Sequence, residues 1–234
     1  MRQLIWPPVL NDWSVMRRRA IQPEEKLQRR ESLMDVAERL WLEQPDRVLN
    51  MAQVAAAAGL AKGTVYLYFR SKEALLLAVH ERHLMAFFSA VIVCATQDRV
   101  MTFDDMVALT RRYIVDVPAF LPLANLCLGW MERDIDAEDS RAFNQRLATS
   151  LTQVAASLRR HFAIVDVERG VTLLMQSYAL IIGLWQLLAQ RPVDRSTRAE
   201  PGCVPWALDY FTVLDAALRA LWRGSLAVAP EPRS

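Results

Sequence analysis

The sequence predicts an all-α protein in two parts: an N-terminal three-helix helix-turn-helix unit and a larger C-terminal helical domain. Three observations carry this. Apolar residues recur at i, i+3, i+4 and i+7 in segment after segment, from Leu33 to Leu221. Residues 50–73 hold two short helical patterns hinged at Gly59, the second too short and too polar to be core. Hydrophobic residues make up 53% and charged residues 23%, a globular balance and not a disordered one. The expected boundaries are an arm over 1–22, the helix-turn-helix unit over 23–73, a second helical domain over 74–226 and a tail over 227–234.

In the arm, Trp6, Pro7, Pro8 and Trp13 follow no helical period, and Met16-Arg17-Arg18-Arg19 comes next. Residues 1–15 read either as a leader upstream of a start at Met16 or as an arm reaching DNA, the leader being preferred. Arg17 to Arg19, with Arg29 and Arg30, suit phosphate contact and plain solvation equally. Leu33, Val36, Ala37, Leu40 and Trp41 then share a broad helical face, which Gln44 to Arg47 break with Pro45. Asn50 is a good N-cap for a second helix with Met51, Val54, Ala55 and Ala58 on one side. Gly59 stands where that helix ends, because a left-handed turn is easiest for glycine. Ala61 to Leu67 forms the next helix, anchored inward by Val65 and, just beyond, Phe69. Lys62, Thr64, Tyr66 and Tyr68 point outward, and Gly63 leaves room for a phosphate or a base edge. Ser71 caps a further helix, with Glu73 in the first turn where a negative charge suits the dipole.

That helix runs over 74–96 with Leu76, Val79, His83, Phe87, Ala90 and Cys94 along one face. Phe103, Met106, Val107, Thr110, Tyr113, Ile114 and Val117 share the next face; Pro118 and Pro122 bracket a turn, and Leu123 to Met131 is a short helix. The five acids of residues 132–139 read as an exposed loop and helix start rather than a metal cluster. Phe143, Leu147, Leu151, Val154, Leu158 and Phe162 mark another amphipathic helix. Val171 to Ala189 is apolar on all sides and long enough to span a bilayer, and nothing else resembles a span. Thr172, Gln176, Ser177 and Gln186 within it favour a buried helix. After a Pro/Gly-containing loop over 191–205, Trp206 to Trp222 is the last helix. Two closing helices with surplus apolar surface suit a four-helix seam between two copies, with Ile181, Leu184, Trp185, Leu188, Tyr210, Leu214 and Leu218 as its candidates.

A helix-turn-helix braces one helix and offers the other to the major groove of DNA. The candidate contacts are Asn50, Gln53, Lys62, Gly63, Thr64, Tyr66, Leu67, Tyr68 and Lys72. Residues 1–80 hold 12 basic and 9 acidic groups, against 16 and 17 in the remainder, so the basic excess lies where phosphates would be met. Only three of the 28 basic residues are lysine, and two of them, Lys62 and Lys72, fall in this motif. Enzyme readings fail: there is no glycine-rich phosphate loop among seven glycines and no nucleophile elbow. His80 and His83 stand at i, i+3 without a matched third ligand, so no metal, cofactor or catalytic residue is assigned. Cys94, Cys127 and Cys203 have no zinc or redox spacing and read as reduced thiols; with no signal peptide, the expected compartment is the cytoplasm.

The run from Gly59 to Leu75, Gly-Leu-Ala-Lys-Gly-Thr-Val-Tyr-Leu-Tyr-Phe-Arg-Ser-Lys-Glu-Ala-Leu, resembles the signature of the TetR family of bacterial transcription regulators. The resemblance is specific over about residues 28–80; beyond them only length and helical pattern agree. Two positions depart from it. Asn50 stands where the family often has Thr, which leaves capping intact, and Ala61 where many members carry Ser, which removes a hydroxyl from the DNA face. The resemblance implies a homodimeric repressor that binds a near-palindromic operator and is released by a small, largely apolar effector. It places the dimer interface on the last two helices and makes 74–226 the effector-binding and dimerisation domain. An effector pocket among the middle helices would draw on His83, Phe87, Tyr113, Trp130, Phe143, Met175 and Tyr178. The alternative is a helix-turn-helix protein that organises DNA or answers to a protein partner, and a filled C-terminal core would favour it.

Overall fold

The computed structural model describes residues 23–44, 49–130, 134–164, 166–188 and 209–227, the side chains of Pro23, Trp130 and Ala227 excepted. The expectations for the arm, including Arg17 to Arg19, for the loop over 191–205 and for the tail beyond residue 227 lie outside the described residues. Among the described residues the chain is all helix: α1 Pro23–Glu43, α2 Met51–Ala57, α3 Lys62–Tyr66, α4 Lys72–Ala95, α5 Phe103–Thr110, α6 Phe120–Trp130, α7 Ala137–Leu158, α8 Val167–Leu188 and α9 Tyr210–Ala227.

Local chemistry sets the helix ends. Asn50 Oδ1 accepts from the Ala52 amide at 2.9 Å and opens α2. Gly59 takes φ +65°, which a side chain would resist, and turns the chain into α3. Ser71 Oγ accepts from the Ala74 amide at 3.0 Å and opens α4, with Glu73 in the first turn. Thr102 and Asp105 form a reciprocal capping box at the start of α5. Pro122, expected in a turn, instead lies in the first turn of α6, where a missing N–H leaves no bond unmade.

Two cores form. The smaller packs Leu33, Ala37 and Trp41 of α1 against Met51 and Val54 of α2, Val65 of α3, and Phe69. It is completed from elsewhere: Leu75, Leu76, Ala78 and Val79 of α4, with Ala119 and Leu123 at the entry to α6, are buried in the same cluster. The larger core gathers Leu84, Phe87, Phe88 and Val91 of α4 with residues of α5 to α9. Phe120, Ala124 and Cys127 of α6 belong to this second core, so α6 has one face in each. Where α7 crosses α8, an added Cβ at Gly170 would sit 2.9 Å from Ala155 Cβ, so this crossing requires glycine.

Two features differ from the periodicity. Arg111–Val115 continues α5 as a π-turn, with the Asp116 amide donating to the Arg111 carbonyl at 2.8 Å. And α4, like α8, is long and apolar enough to cross a membrane, where the sequence singled out one segment. Fewer of the residues of α8 are buried within the chain than of α4, and Met175, Ala179 and Leu187 of α8 are exposed.

Leu123 is fully buried in the smaller core although it belongs to α6. Leu123→Ala is expected to cost about 2–5 kcal/mol in urea unfolding, as a buried leucine truncation does. Leu128→Ala, on the exposed side of the same helix, should stay within about 0.5 kcal/mol of the parent.

Candidate nucleic-acid interface and ligand cavity

One buried side chain holds the short helix α3 in place. Val65 is fully buried, and Phe69 beyond it packs in the same core with the Arg30 guanidinium 4.9 Å above its ring. With Val65 inward, Lys62, Gly63, Tyr66 and Leu67 are exposed, Leu67 at 79% and Tyr66 at 42%. Lys62 Nζ lies 5.8 Å from the Tyr66 ring centroid, so the cation and the aromatic form one patch. Gln53 on α2 and Asn50 at its cap are exposed as well. Thr64 is half-buried, and Tyr68 is half-buried with its ring against the core. Lys72 opens α4 with Nζ 3.5 Å from Glu73 Oε1, a contact at the surface that leaves the ammonium open to a phosphate. The nine expected residues therefore lie along α2, α3 and the start of α4, with a cation, an aromatic and a bare glycine at the α3 surface.

Charge ties this unit to the long helix. Arg82 of α4 reaches three carboxylates of α1: Glu31 at 3.4 Å, Asp35 at 2.6 Å and Glu38 at 2.7 Å. His83 Nε2 lies 2.8 Å from Glu38 Oε1. Glu38 is held below the usual carboxylate range, first by that hydrogen bond and then by the charges of His83 and Arg82, against the opposing effect of burial. Arg70 donates to Glu138 at 3.1 Å and lies 3.4 Å from Asp136, at the start of α7.

The larger core holds a partly open cavity of ≈ 280 Å³ between α4, α5, α6, α7, α8 and α9. Phe87, Phe143, Met175 and Tyr178 line it, as expected from the sequence. Two expected residues do not. His83 is turned toward α1 and bound to Glu38, and Tyr113 lies beyond the onset of the π-turn, which adds a residue to the helical repeat and puts Ile114 on the wall instead. The side chain of Trp130 lies outside the described residues. The main polar group that the sequence did not place on the wall is His80, three residues before His83 and 2% exposed. Its Nε2 is 3.2 Å from Tyr178 Oη, and its ring meets Phe120 edge-on at 5.1 Å. Its Nδ1 is buried with no hydrogen-bond partner. Ser177 Oγ donates to the Leu173 carbonyl at 2.7 Å and accepts from Trp222 Nε1 at 3.0 Å.

The expected seam residues divide. Ile181, Leu214 and Leu218 are 4%, 0% and 5% exposed within a single chain, and Ile181 and Leu218 line the cavity. A side chain buried in its own core has no surface left for a second copy. Leu184, Trp185 and Tyr210 are half-buried against the same core, with Tyr210 Oη donating to the Ile181 carbonyl at 3.0 Å, and Leu188 is half-buried at the end of α8. The exposed faces of α8 and α9 carry Ala179 and Leu187, and Ala216 and Ala220. Among the described residues no group of three His, Cys, Asp or Glu could hold a metal ion.

Residues 33–79 match the family described as bacterial regulatory proteins, tetR family, and residues 81–229 match the tetracyclin repressor-like C-terminal domain. No curated protein matches the chain in sequence. Among solved structures the chain is similar to a protein of Streptomyces coelicolor A3(2) described as a transcriptional regulator, at 20% identity and TM-score 0.55, with 86% of this chain and 98% of that one covered. A protein of Mesorhizobium loti described as a TetR-family transcriptional regulator gives 16% identity and TM-score 0.53, over 85% and 97% of the two chains. A TetR family regulator of Thermus thermophilus gives 17% identity and TM-score 0.50, over 82% and 97%. At these identities the likeness speaks for the fold.

Burial, with a smaller push from the His83 charge, takes His80 from 6.5 down to about 3. Below pH 6.5 the unfolded chain takes up a proton that the folded chain refuses until about pH 3, so this group makes stability fall as pH falls through that window. The slope reaches at most about 1.4 kcal/mol per pH unit. Urea unfolding from pH 6.5 to about 5, above most carboxylate titrations, should therefore show a steeper loss in the parent than in His80→Leu. Equal slopes would show that His80 is not buried as described.

Proposed function

The chain belongs to the TetR family of bacterial transcription regulators, DNA-binding proteins and not enzymes, and from that premise we propose that it is a homodimeric repressor, working in the cytoplasm and released from a near-palindromic operator by a small apolar effector. The observation that carries the DNA-binding part is α3: one buried valine fixes its roll, and every residue turned outward is a candidate contact. Tyr66 and Leu67 offer aromatic and apolar surface to base edges and thymine methyls, Gly63 allows close approach, and Lys62 and Lys72 offer positive charge to the phosphates on either side.

Dimerisation is supported by the uncovered apolar surface of α8. In this reading the contact runs along Ala179, Gly183 and Leu187 of α8 and Ala216 and Ala220 of α9, small enough for helices of two copies to approach closely. An added Cβ at Gly183 meets nothing within 4 Å, so space remains there. Two copies would hold their recognition helices about 34–36 Å apart, one turn of DNA. Effector control is supported by the cavity, since a regulator governed only by a protein partner has no need of an apolar cavity in its core.

Lys62→Ala and Tyr66→Ala are expected to weaken operator binding while leaving the helical signal and melting unchanged. The loss of a base contact is about 1–3 kcal/mol. Loss of the Lys62 phosphate contact should lower the salt slope of binding by about one. Parental affinity for both variants in a gel-shift titration would remove the assignment of α3. For the seam, Ala220→Arg should convert dimers to monomers in light scattering and depress operator binding with them, because an unpaired charge in a buried interface costs several kcal/mol. A dimer that survives both Ala220→Arg and Leu187→Arg places the interface on another face.

A further inference from the structure

The cavity wall has no charged side chain. Its polar groups are His80, Thr110, Asn144, Ser177 and Tyr178, and the Cys127 thiol stays protonated because burial pushes it up to about 12. His80 is neutral at any working pH of a cell. A charged ligand would leave its water without a counter-charge in return, which a site of this kind strongly disfavours. At the rim stand Leu128, 54% exposed, and Met175, 50% exposed, so the way in is apolar too.

Within that wall one pair is left incomplete. A neutral imidazole has one donor and one acceptor, and a phenol has one donor and two acceptor lone pairs. If His80 donates from Nε2 to Tyr178 Oη, then Nδ1 is a spare acceptor and the tyrosine O–H a spare donor. If Tyr178 donates to Nε2 instead, then Nδ1–H is the spare donor and Oη keeps a spare lone pair. Either tautomer leaves one unused donor and at least one unused acceptor on this pair, and Nδ1 is the buried side-chain atom among the described residues that has no partner. Such a group costs free energy until something completes it. Ser177 offers less, since it already donates to Leu173 and accepts from Trp222, and Asn144 stands on the exposed side of α7, where water can satisfy its amide.

Resting on the effector reading above, we propose that the cavity takes an uncharged, largely apolar molecule bearing a hydroxyl or carbonyl group, and that this group seats on the His80–Tyr178 pair. A hydroxyl, donor and acceptor at once, answers both tautomers. A carbonyl answers whichever donor is spare. An apolar molecule with no such group fills the space but leaves the pair as it is, and an anion or cation of the same shape is refused. The seat lies between α4, which carries His80, and α8, which carries Tyr178, and it touches α6 through the Phe120 ring. The cavity wall also includes Ala124 and Cys127 of α6, so a ligand filling it would reach α4 and α6, the two helices that enter the DNA-binding core from the larger domain.

Four probes of one shape test this: naphthalene, 1-naphthol, 1-naphthoate and 1-naphthylmethylammonium, titrated into the full chain by calorimetry without DNA. The expected result is saturable binding of 1-naphthol, about tenfold tighter than naphthalene, as one hydrogen bond to a buried group provides, with no saturable binding of either ion. In Tyr178→Phe and in His80→Leu the preference for naphthol over naphthalene should fall to near unity; two variants on different helices guard against one that misfolds. Equal binding of naphthalene and naphthol by the parent, tighter binding of an ion, or no binding of any probe overturns the proposal. Operator release is read separately by gel shift. A probe that releases DNA without the hydroxyl preference leaves the regulator standing and removes the seat. The preference without release keeps the seat and removes its role as an effector site.

Discussion

The structure depends on α4 being buried in two cores at once. Leu75, Leu76 and Val79 close the DNA-binding core, while Leu84, Phe87, Phe88 and Val91, one to three turns later, close the larger one. A helix buried on so many sides cannot roll without opening both, because cores are packed to crystal density and do not deform continuously. This makes the two domains one mechanical body, although each has a hydrophobic cluster of its own. The entry to α6 reinforces the joint: Ala119 and Leu123 go into the first core, Phe120 and Ala124 into the second.

Charge then fixes what packing alone would leave loose. Arg82 gathers Glu31, Asp35 and Glu38 of α1, and His83 shares Glu38. Arg82, Glu38 and His83 are partly buried, so salt screens their contacts less than free surface pairs, while the more exposed Asp35 and Glu31 add less, and the network ties α1 to α4. On the opposite side Arg70 meets Asp136 and Glu138, and Arg146 bonds Glu81 through both its Nε and its Nη2. The DNA-binding unit is thus held from two directions, by α1 on α4 and by α7 on the turn before α4. A ligand that shifts α4 or α6 acts on a part whose position is already over-determined, and an over-determined part moves between discrete arrangements.

What the sequence made legible was mostly local. Asn50, Gly59 and Ser71 declare themselves because caps and left-handed turns are decided by a few adjacent atoms, and Val65 against Lys62 and Tyr66 is a one-turn alternation. The outward face of α3 follows from these directly. The cavity was legible only in part, since its wall depends on how long helices are rolled relative to each other. His80 and His83 lie three residues apart on a helix that is apolar nearly all round, and periodicity does not say which of them faces the cavity. Tyr113 was misplaced by the π-turn, which has no sequence signature of its own. Ile181 and Leu218 were assigned outward for a related reason: on helices apolar on every side, the core face and the seam face look alike until the neighbours are in place.

The far end of α4 is fastened as well. The Ala95 carbonyl receives the Arg160 guanidinium and lies 2.7 Å from His161 Nε2, while His161 Nδ1 accepts from the Met101 amide at 3.1 Å. A rod clamped at one end has a fulcrum. At 1.5 Å per residue, His80 lies about 22 Å from Ala95 and Lys72 about 34 Å. A sideways displacement at His80 would therefore reach Lys72 magnified about one and a half times, and would be felt next by the turn that carries Phe69 and α3. The mechanical advantage is set by where along the rod the force is applied, so a ligand touching α4 nearer Val91 would need a smaller displacement, but a larger force, for the same travel at the DNA.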